Sequence, residues 1–241
     1  MYRIHRNTSA DRLGIDSIES EELFKLLDGL PLAIAHASTY LRQSEISVAK
    51  YIQLYNQQWK SLMESQDRTG VLLRDYPDRS VWTTWMISYD AIRAKSMAAA
   101  NLLLLWSCLD NKDLWYGLLA RVSMSPVVVG SSSVWLASVA SDEVEFIAAM
   151  RLLRSYSLVE GLQDLSGYTT HPVLHKWAFH IQDEKQRSVF TWLAVVVVGY
   201  AVPETFEKEY TEVQGRLIAH AQKCYQWVMR QVTGTWARGY G

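Results

Sequence analysis

The chain has no Gly-Lys dipeptide anywhere in its 241 residues. This excludes the glycine-rich loop Gly-x-x-x-x-Gly-Lys-Ser/Thr, which holds nucleotide phosphates with backbone amides and a lysine. Cysteine is scarce: Cys108 and Cys224 stand far apart and lack metal-type spacing. Two such cysteines do not make a disulfide framework, and they point to a reducing compartment, which we read as cytoplasmic. Long apolar runs are missing too. The longest, Trp192 to Val202, stops at Pro203, well short of the roughly 20 residues needed to span a bilayer. A buried helix is expected there instead. Neither sign of charge dominates, with a formal net charge of −1, so nucleic acid and anionic membrane are not the expected partners. Residues 1–20 are polar and mixed in charge, unlike a secretory signal. There is no Gly-x-Ser-x-Gly elbow, and neither cysteine has an adjacent histidine. The expectation is therefore a non-enzyme.

What is present is an ordinary globular mixture, 49% apolar and 20% charged, with an unusual ten tryptophans. That aromatic content suits packed helix–helix surfaces. In the first segment Ser20 reads as a helix N-cap with Glu21 and Glu22 behind it, and Asp28-Gly29 as the helix end. Pro31 suits the first turn of a second helix running to about Gln43. A third helix is expected after Ser47, with Val48, Tyr51, Ile52, Tyr55, Trp59 and Leu62 on one face. The stretch 64–79 reads as a loop and boundary.

In the second segment Trp82, Trp85, Met86, Tyr89 and Ile92 define an amphipathic helix, followed by a near-continuous apolar helix from Met97 to Leu109. Leu114 to Met124 suits another helix, and Pro126 to Ser133 a connector. Asp142-Glu143 opens a helix to about Arg154, and two short strands follow, Tyr156–Glu160 and Tyr168–Thr170. Beyond Gln186 lie the apolar helix, an acidic turn-rich link from Pro203 to Glu212, and an amphipathic helix from Leu217 to Val232. Leu217, Ile218, Ala221, Tyr225 and Val228 form an apolar stripe at helical spacing, with Trp227 and Trp236 nearby. The last residues have no helical period, and no full 34-residue repeat is visible.

Two short motifs carry the functional reading: Gly29-Leu30-Pro31-Leu32-Ala33 and His171-Pro172-Val173-Leu174-His175. On local sequence, Pro31 is a conformational helix start. His171 is a cap, a packed ring, or a donor or cation with a near-neutral pKa. His171 and His175 are spaced for one helix face, but Pro-Val-Leu stands between them in place of a zinc-protease glutamate, and no third ligand is apparent.

Taken in order, five stretches resemble the fungal NB-ARC–TPR signalling proteins across roughly residues 20–230. They are Leu27 to Ala35, Ser80 to Ile92, Leu152 to Val159, Tyr168 to Ala178, and Arg216 to Ala221. Pro172 replaces the aspartate of the plant Met-His-Asp form, as is usual in the fungal group. The resemblance implies a mainly α-helical chain in three parts: a helical subdomain over 1–66, a winged-helix subdomain with a small β-hairpin over 78–184, and a linker with the start of a TPR-like helical array over 185–241. It implies the regulatory part of an ADP/ATP-dependent STAND signalling switch, beginning after the P-loop domain. In that family Pro31 would pack on adenine and His171 would reach the phosphates, with ADP or ATP bound only alongside a P-loop domain in cis and none expected for this chain alone. The expected partners are proteins: the P-loop domain, TPR repeats, and a second copy through self-association. The competing reading is a helical interaction module that binds no nucleotide. A DNA-binding winged helix is disfavoured, because three positive side chains face five negative ones between Asp142 and His180.

Overall fold

A computed structural model describes residues 17–69, 79–125, 133–163, 166–204 and 210–238. Eleven α-helices and one two-stranded sheet make up these residues. Two compact units divide the chain, residues 1–91 and 92–241.

The first unit holds α1 (Ser17–Leu26), α2 (Pro31–Ser44), α3 (Val48–Thr69) and most of α4 (Arg79–Lys95). Its turns follow from local chemistry. Asp28 and Gly29 both take positive φ, 54° and 65°, and the Gly29 amide donates back to the Phe24 carbonyl at 3.1 Å, closing α1 in a left-handed turn. The Asp28 carboxylate accepts from the Ser80 hydroxyl at 2.7 Å, tying that turn to the start of α4. Pro31 occupies the first turn of α2, where its missing N–H has no partner to lose. The Ser47 hydroxyl caps α3 through the Lys50 amide. Val48, Tyr51, Ile52 and Tyr55 form the buried face of α3, and Trp59 is half-buried. The Leu62 side chain lies outside what is described. Of the loop expected over 64–79, residues 64–69 instead continue α3 and Arg79 opens α4, while residues 70–78 lie outside the described residues. Along α4 burial takes in Val81 to Trp85 and Ile87 to Tyr89. It is thus a core helix, not an amphipathic surface one.

The second unit is built on α5 (Met97–Trp106), which Ser96 caps by accepting from the Ala99 amide at 3.1 Å. Ala99, Ala100 and Leu102 to Trp106 are all buried. Around α5 pack α7 (Val134–Ser141), α8 (Glu143–Ser155), α9 (Pro172–His180) and α10 (Glu184–Ala201), while α11 (Tyr210–Arg238) lies against α10. Asp142 caps α8 through the Val144 amide at 2.8 Å, with Glu143 and Glu145 facing the positive end of the helix. Asp183 and Gln186 form a reciprocal capping box on α10.

Several expectations need correction. The helix expected over Leu114–Met124 is a five-residue α6 (Tyr116–Ala120) continued by a 3-10 turn, Arg121–Met124. Helix α7 was not expected. The strands are shorter than anticipated: β1 (Glu160–Gly161) pairs antiparallel with β2 (Tyr168–Thr169). Leu114 makes a further antiparallel bridge to Tyr168, so loop backbone pairs along the other edge of β2. Helix α11 starts seven residues before Leu217 and runs six beyond Val232, to Arg238. The apolar stripe on it is also divided. Leu217 is buried, whereas Ile218, Tyr225 and Val228 are exposed; the packed side is completed by His220 and Cys224. Of the connector and link, residues 126–132 and 205–209 lie outside the described residues, as does the Trp236 side chain.

Candidate functional site

Helix α5 ends deep in the second unit, and the last carbonyls of any helix have no partner within it. At α5 the following turn meets them first, through the Ser107, Cys108 and Leu109 amides on Leu103, Leu105 and Trp106 O and the Ser107 hydroxyl on Leu104 O. Side chains from three later elements add further bonds there and at Cys108 O. Leu104 O accepts from the Gln182 amide at 3.2 Å, and the same nitrogen donates to Ser107 Oγ at 2.8 Å and to Ala178 O at 3.0 Å. Trp106 O lies 3.0 Å from His175 Nε2. Cys108 O accepts from the Trp227 indole at 2.7 Å. The Trp106 indole in turn donates to Asp110 O at 2.8 Å, closing the turn after the helix.

The loop that follows, 110–114, joins the hairpin to α11. Asp113 takes a left-handed conformation at φ 56°, one that aspartate tolerates better than most residues. On the hairpin side, Asn111 O receives the Thr170 amide at 3.0 Å, and the Asn111 side chain donates to Thr170 O at 3.0 Å. Leu114 and Tyr168 exchange amide bonds at 2.9 and 2.8 Å. On the helix side, Arg216 grips the Asp113 carboxylate with two nitrogens, at 2.8 and 2.5 Å, and donates to Ser166 O at 3.0 Å. Its guanidinium also lies 4.1 Å over the Trp115 ring, adding cation–π attraction. His220 is wholly buried. Its Nδ1 accepts from the Asp110 amide at 3.2 Å, and its Nε2 stands 3.2 Å from Asp113 O. That geometry requires a neutral ring with the proton on Nε2.

The two anticipated site residues stand in different units. Pro31, in the first, is an exposed helix-start residue. His171, in the second, is the exposed N-cap of α9. Its Nδ1 accepts from the Val173 amide at 3.3 Å, which places the ring proton on Nε2 and makes that atom a donor. His175, one turn along, is turned to a separate task. Its Nε2 donates to Trp106 O, and burial pushes its pKa down to about 4. The two histidines thus serve different partners, and among the described residues no group of three or more His, Cys, Asp or Glu is placed to hold a metal ion. The described residues also contain no helix long and apolar enough to cross a membrane.

Sequence reasoning missed Asp110, Asn111, Asp113 and the pairing roles of Arg216, His220 and Trp227. The cluster Asp110-Asn111-Lys112-Asp113 does carry a turn signal, but nothing local names its partners.

The chain is similar to a nucleotide-binding leucine-rich repeat (NLR)-like protein of Hyaloscypha variabilis, 24% identical over 161 residues. The match takes in 64% of this chain and 14% of that protein. It supports an NLR or STAND-type relationship. No protein-family model matches, and no solved structure does.

The loop's tight fit yields a prediction. A Cβ added at Gly167 would meet Asp113 Oδ1 at 2.8 Å, Leu114 O at 3.0 Å and Arg216 at 3.2 Å. Because one neighbour is backbone, relief requires the loop to move. Gly167→Ala is expected to lower unfolding free energy by about 1–3 kcal/mol, read by urea denaturation. A loss below 0.5 kcal/mol would mean the loop is not held against the hairpin.

Proposed function

We propose that this chain is the regulatory part of a nucleotide-dependent STAND signalling switch, without nucleotide hydrolysis of its own. The observation that carries the reading is the likeness to the NLR-like protein across 64% of the chain. Under this reading the first unit's helices correspond to the helical subdomain, α8, the hairpin and α9 to the core of a winged helix, and α10 with α11 to the approach to a TPR-like array. A P-loop domain in cis supplies the phosphate loop that this chain lacks. Pro31 then offers its ring to the adenine, and His171 offers Nε2–H to a phosphate oxygen. The His171 cap supports that role, since the Val173 amide fixes which nitrogen carries the proton. ADP binding would favour one packing of these parts and exchange for ATP another, a population shift driven by differential affinity.

A second reading, a protein-interaction module that binds no nucleotide, draws on a separate observation. Ile218, Tyr225, Val228 and Met229 are exposed along one side of α11, at 57%, 64%, 42% and 41%. Monomers seldom leave such a row uncovered, and self-association through it is our proposal for the isolated chain.

Three experiments test these readings. The chain alone should bind MgATP or MgADP weakly or not at all in calorimetry, because the phosphate-gripping loop is missing. Low-micromolar binding would contradict the reading. With a matching P-loop domain fused upstream, His171→Ala should release a labelled ADP analogue about ten to a hundred times faster, the worth of one charge-assisted hydrogen bond. Unchanged release would remove His171 from the nucleotide site. For self-association, light scattering should show oligomers that Ile218→Asp disperses with little loss of stability, since this side chain is largely exposed. A monodisperse monomer at high concentration, unaffected by the substitution, would eliminate that part of the proposal.

A further inference from the structure

The contacts of His220 have a consequence that does not depend on nucleotide. A neutral imidazole has one acceptor and one donor nitrogen, and here both are in use: Nδ1 on the Asp110 amide, Nε2 on the Asp113 carbonyl. A proton added to Nδ1 would point at the Asp110 N–H, turning an attraction into donor against donor. The ring has no exposed surface, so water cannot take over the lost bond.

We propose that the 110–114 loop and the Arg216–His220 turn of α11 form a proton-sensitive latch, closed while His220 is neutral and opened when it is protonated. Opening releases α11 from the loop that also holds the hairpin, through the Asn111–Thr170 bonds.

The charged groups around the ring pull in opposite directions. The Asp110 and Asp113 carboxylates favour the imidazolium, and Arg216 on its own helix opposes it. Both carboxylates are already engaged, Asp113 by Arg216 and Asp110 Oδ1 by the Lys112 amide. The Trp115 ring, centred 5.9 Å away, adds no charge. Burial is the larger influence and holds the pKa of His220 below its ordinary value. The docked state therefore binds fewer protons than the released one. Docking is complete above about pH 6.5, the ordinary histidine value, and weakens as pH falls toward the depressed pKa of the docked state. A single proton changes the opening equilibrium by at most tenfold per pH unit.

Backbone hydrogen exchange of the full chain, corrected for intrinsic rates, reads this directly. Between pH 7 and 5.5, amides of residues 217–229 should lose protection by up to about tenfold, while α5 and α8 keep theirs. His220→Gln, whose amide also offers one acceptor and one donor group, should keep α11 docked and abolish the pH dependence. A pH response of α11 that persists in His220→Gln would assign it to another group, such as His175, and overturn the proposal. Equal loss of protection in α5 and α8 would mean global unfolding and would overturn it too. Should His220→Gln fail to fold, the wild-type chain suffices: the imidazole proton resonance of His220 should titrate together with the exchange of 217–229. Separate midpoints would contradict the latch.

Discussion

The second unit depends on how one buried helix ends. The last turns of helix α5, Leu102 to Trp106, are apolar and buried, so its final carbonyls cannot turn to water. An unmet buried carbonyl costs about 1–3 kcal/mol, and leaving several unmet would use up much of a small domain's stability. The chain meets this need twice. The turn Ser107–Leu109 bonds Leu103 to Trp106 O locally. Side chains from the turn after α9 (Gln182), from α9 itself (His175) and from α11 (Trp227) add bonds to Leu104, Trp106 and Cys108 O. Each of these bonds fixes where its own element docks. Hydrophobic burial would hold the same helices together but would tolerate a sliding fit; the donors specify register.

The same arrangement links the hairpin to the last helix. The loop after α5 pairs with Tyr168 to Thr170 on one side and with Arg216 and His220 on the other. His171 follows Thr170 directly, so the residue proposed to sense phosphate is one peptide away from a bond to this loop. Stacking of Phe179 on Trp227 at 4.8 Å, with Arg187 over the Phe179 ring at 4.9 Å, ties α9, α10 and α11 on the other flank. Under the proposed reading, a loop bonded to both the hairpin and α11 is placed to pass a change in one to the other. That is a structural premise for switching, with energetic coupling left to measurement.

Much of the helical layout was legible in the sequence because its signals are local. Gly29, Pro31, Ser47 and Asp142 act within four residues of themselves, and each marks a boundary that the structure reproduces. Helix α7 was missed because Val134–Ser141 offers no charge and no side-chain cap at Ser133, and its apolar and small residues set no clear period. Helix α11 runs beyond the expected Leu217–Val232 because only that stretch shows an apolar period, and Gly215 and Gly234 both sit inside the helix. The apolar stripe on α11 was correctly placed on a helix but wrongly assigned to one environment. Leu217 and Ile218 are adjacent, some 100° apart around the helix, and they fall on opposite sides of the boundary between packed and exposed. The polar junction was illegible for a different reason: Asp113 and Arg216 are 103 residues apart, and no local pattern announces such a pairing.

The claim that side-chain donors to the end of α5 organise this unit is best tested at Gln182, which is 2% exposed and gives one nitrogen to three acceptors. Gln182→Met keeps length and flexibility and removes the donor. The measurement is equilibrium denaturation of this variant beside Val189→Met, a control on the exposed side of α10. The account predicts a loss of about 1–3 kcal/mol at Gln182 and less than 0.5 kcal/mol at Val189. Equal, small effects at both positions would contradict it.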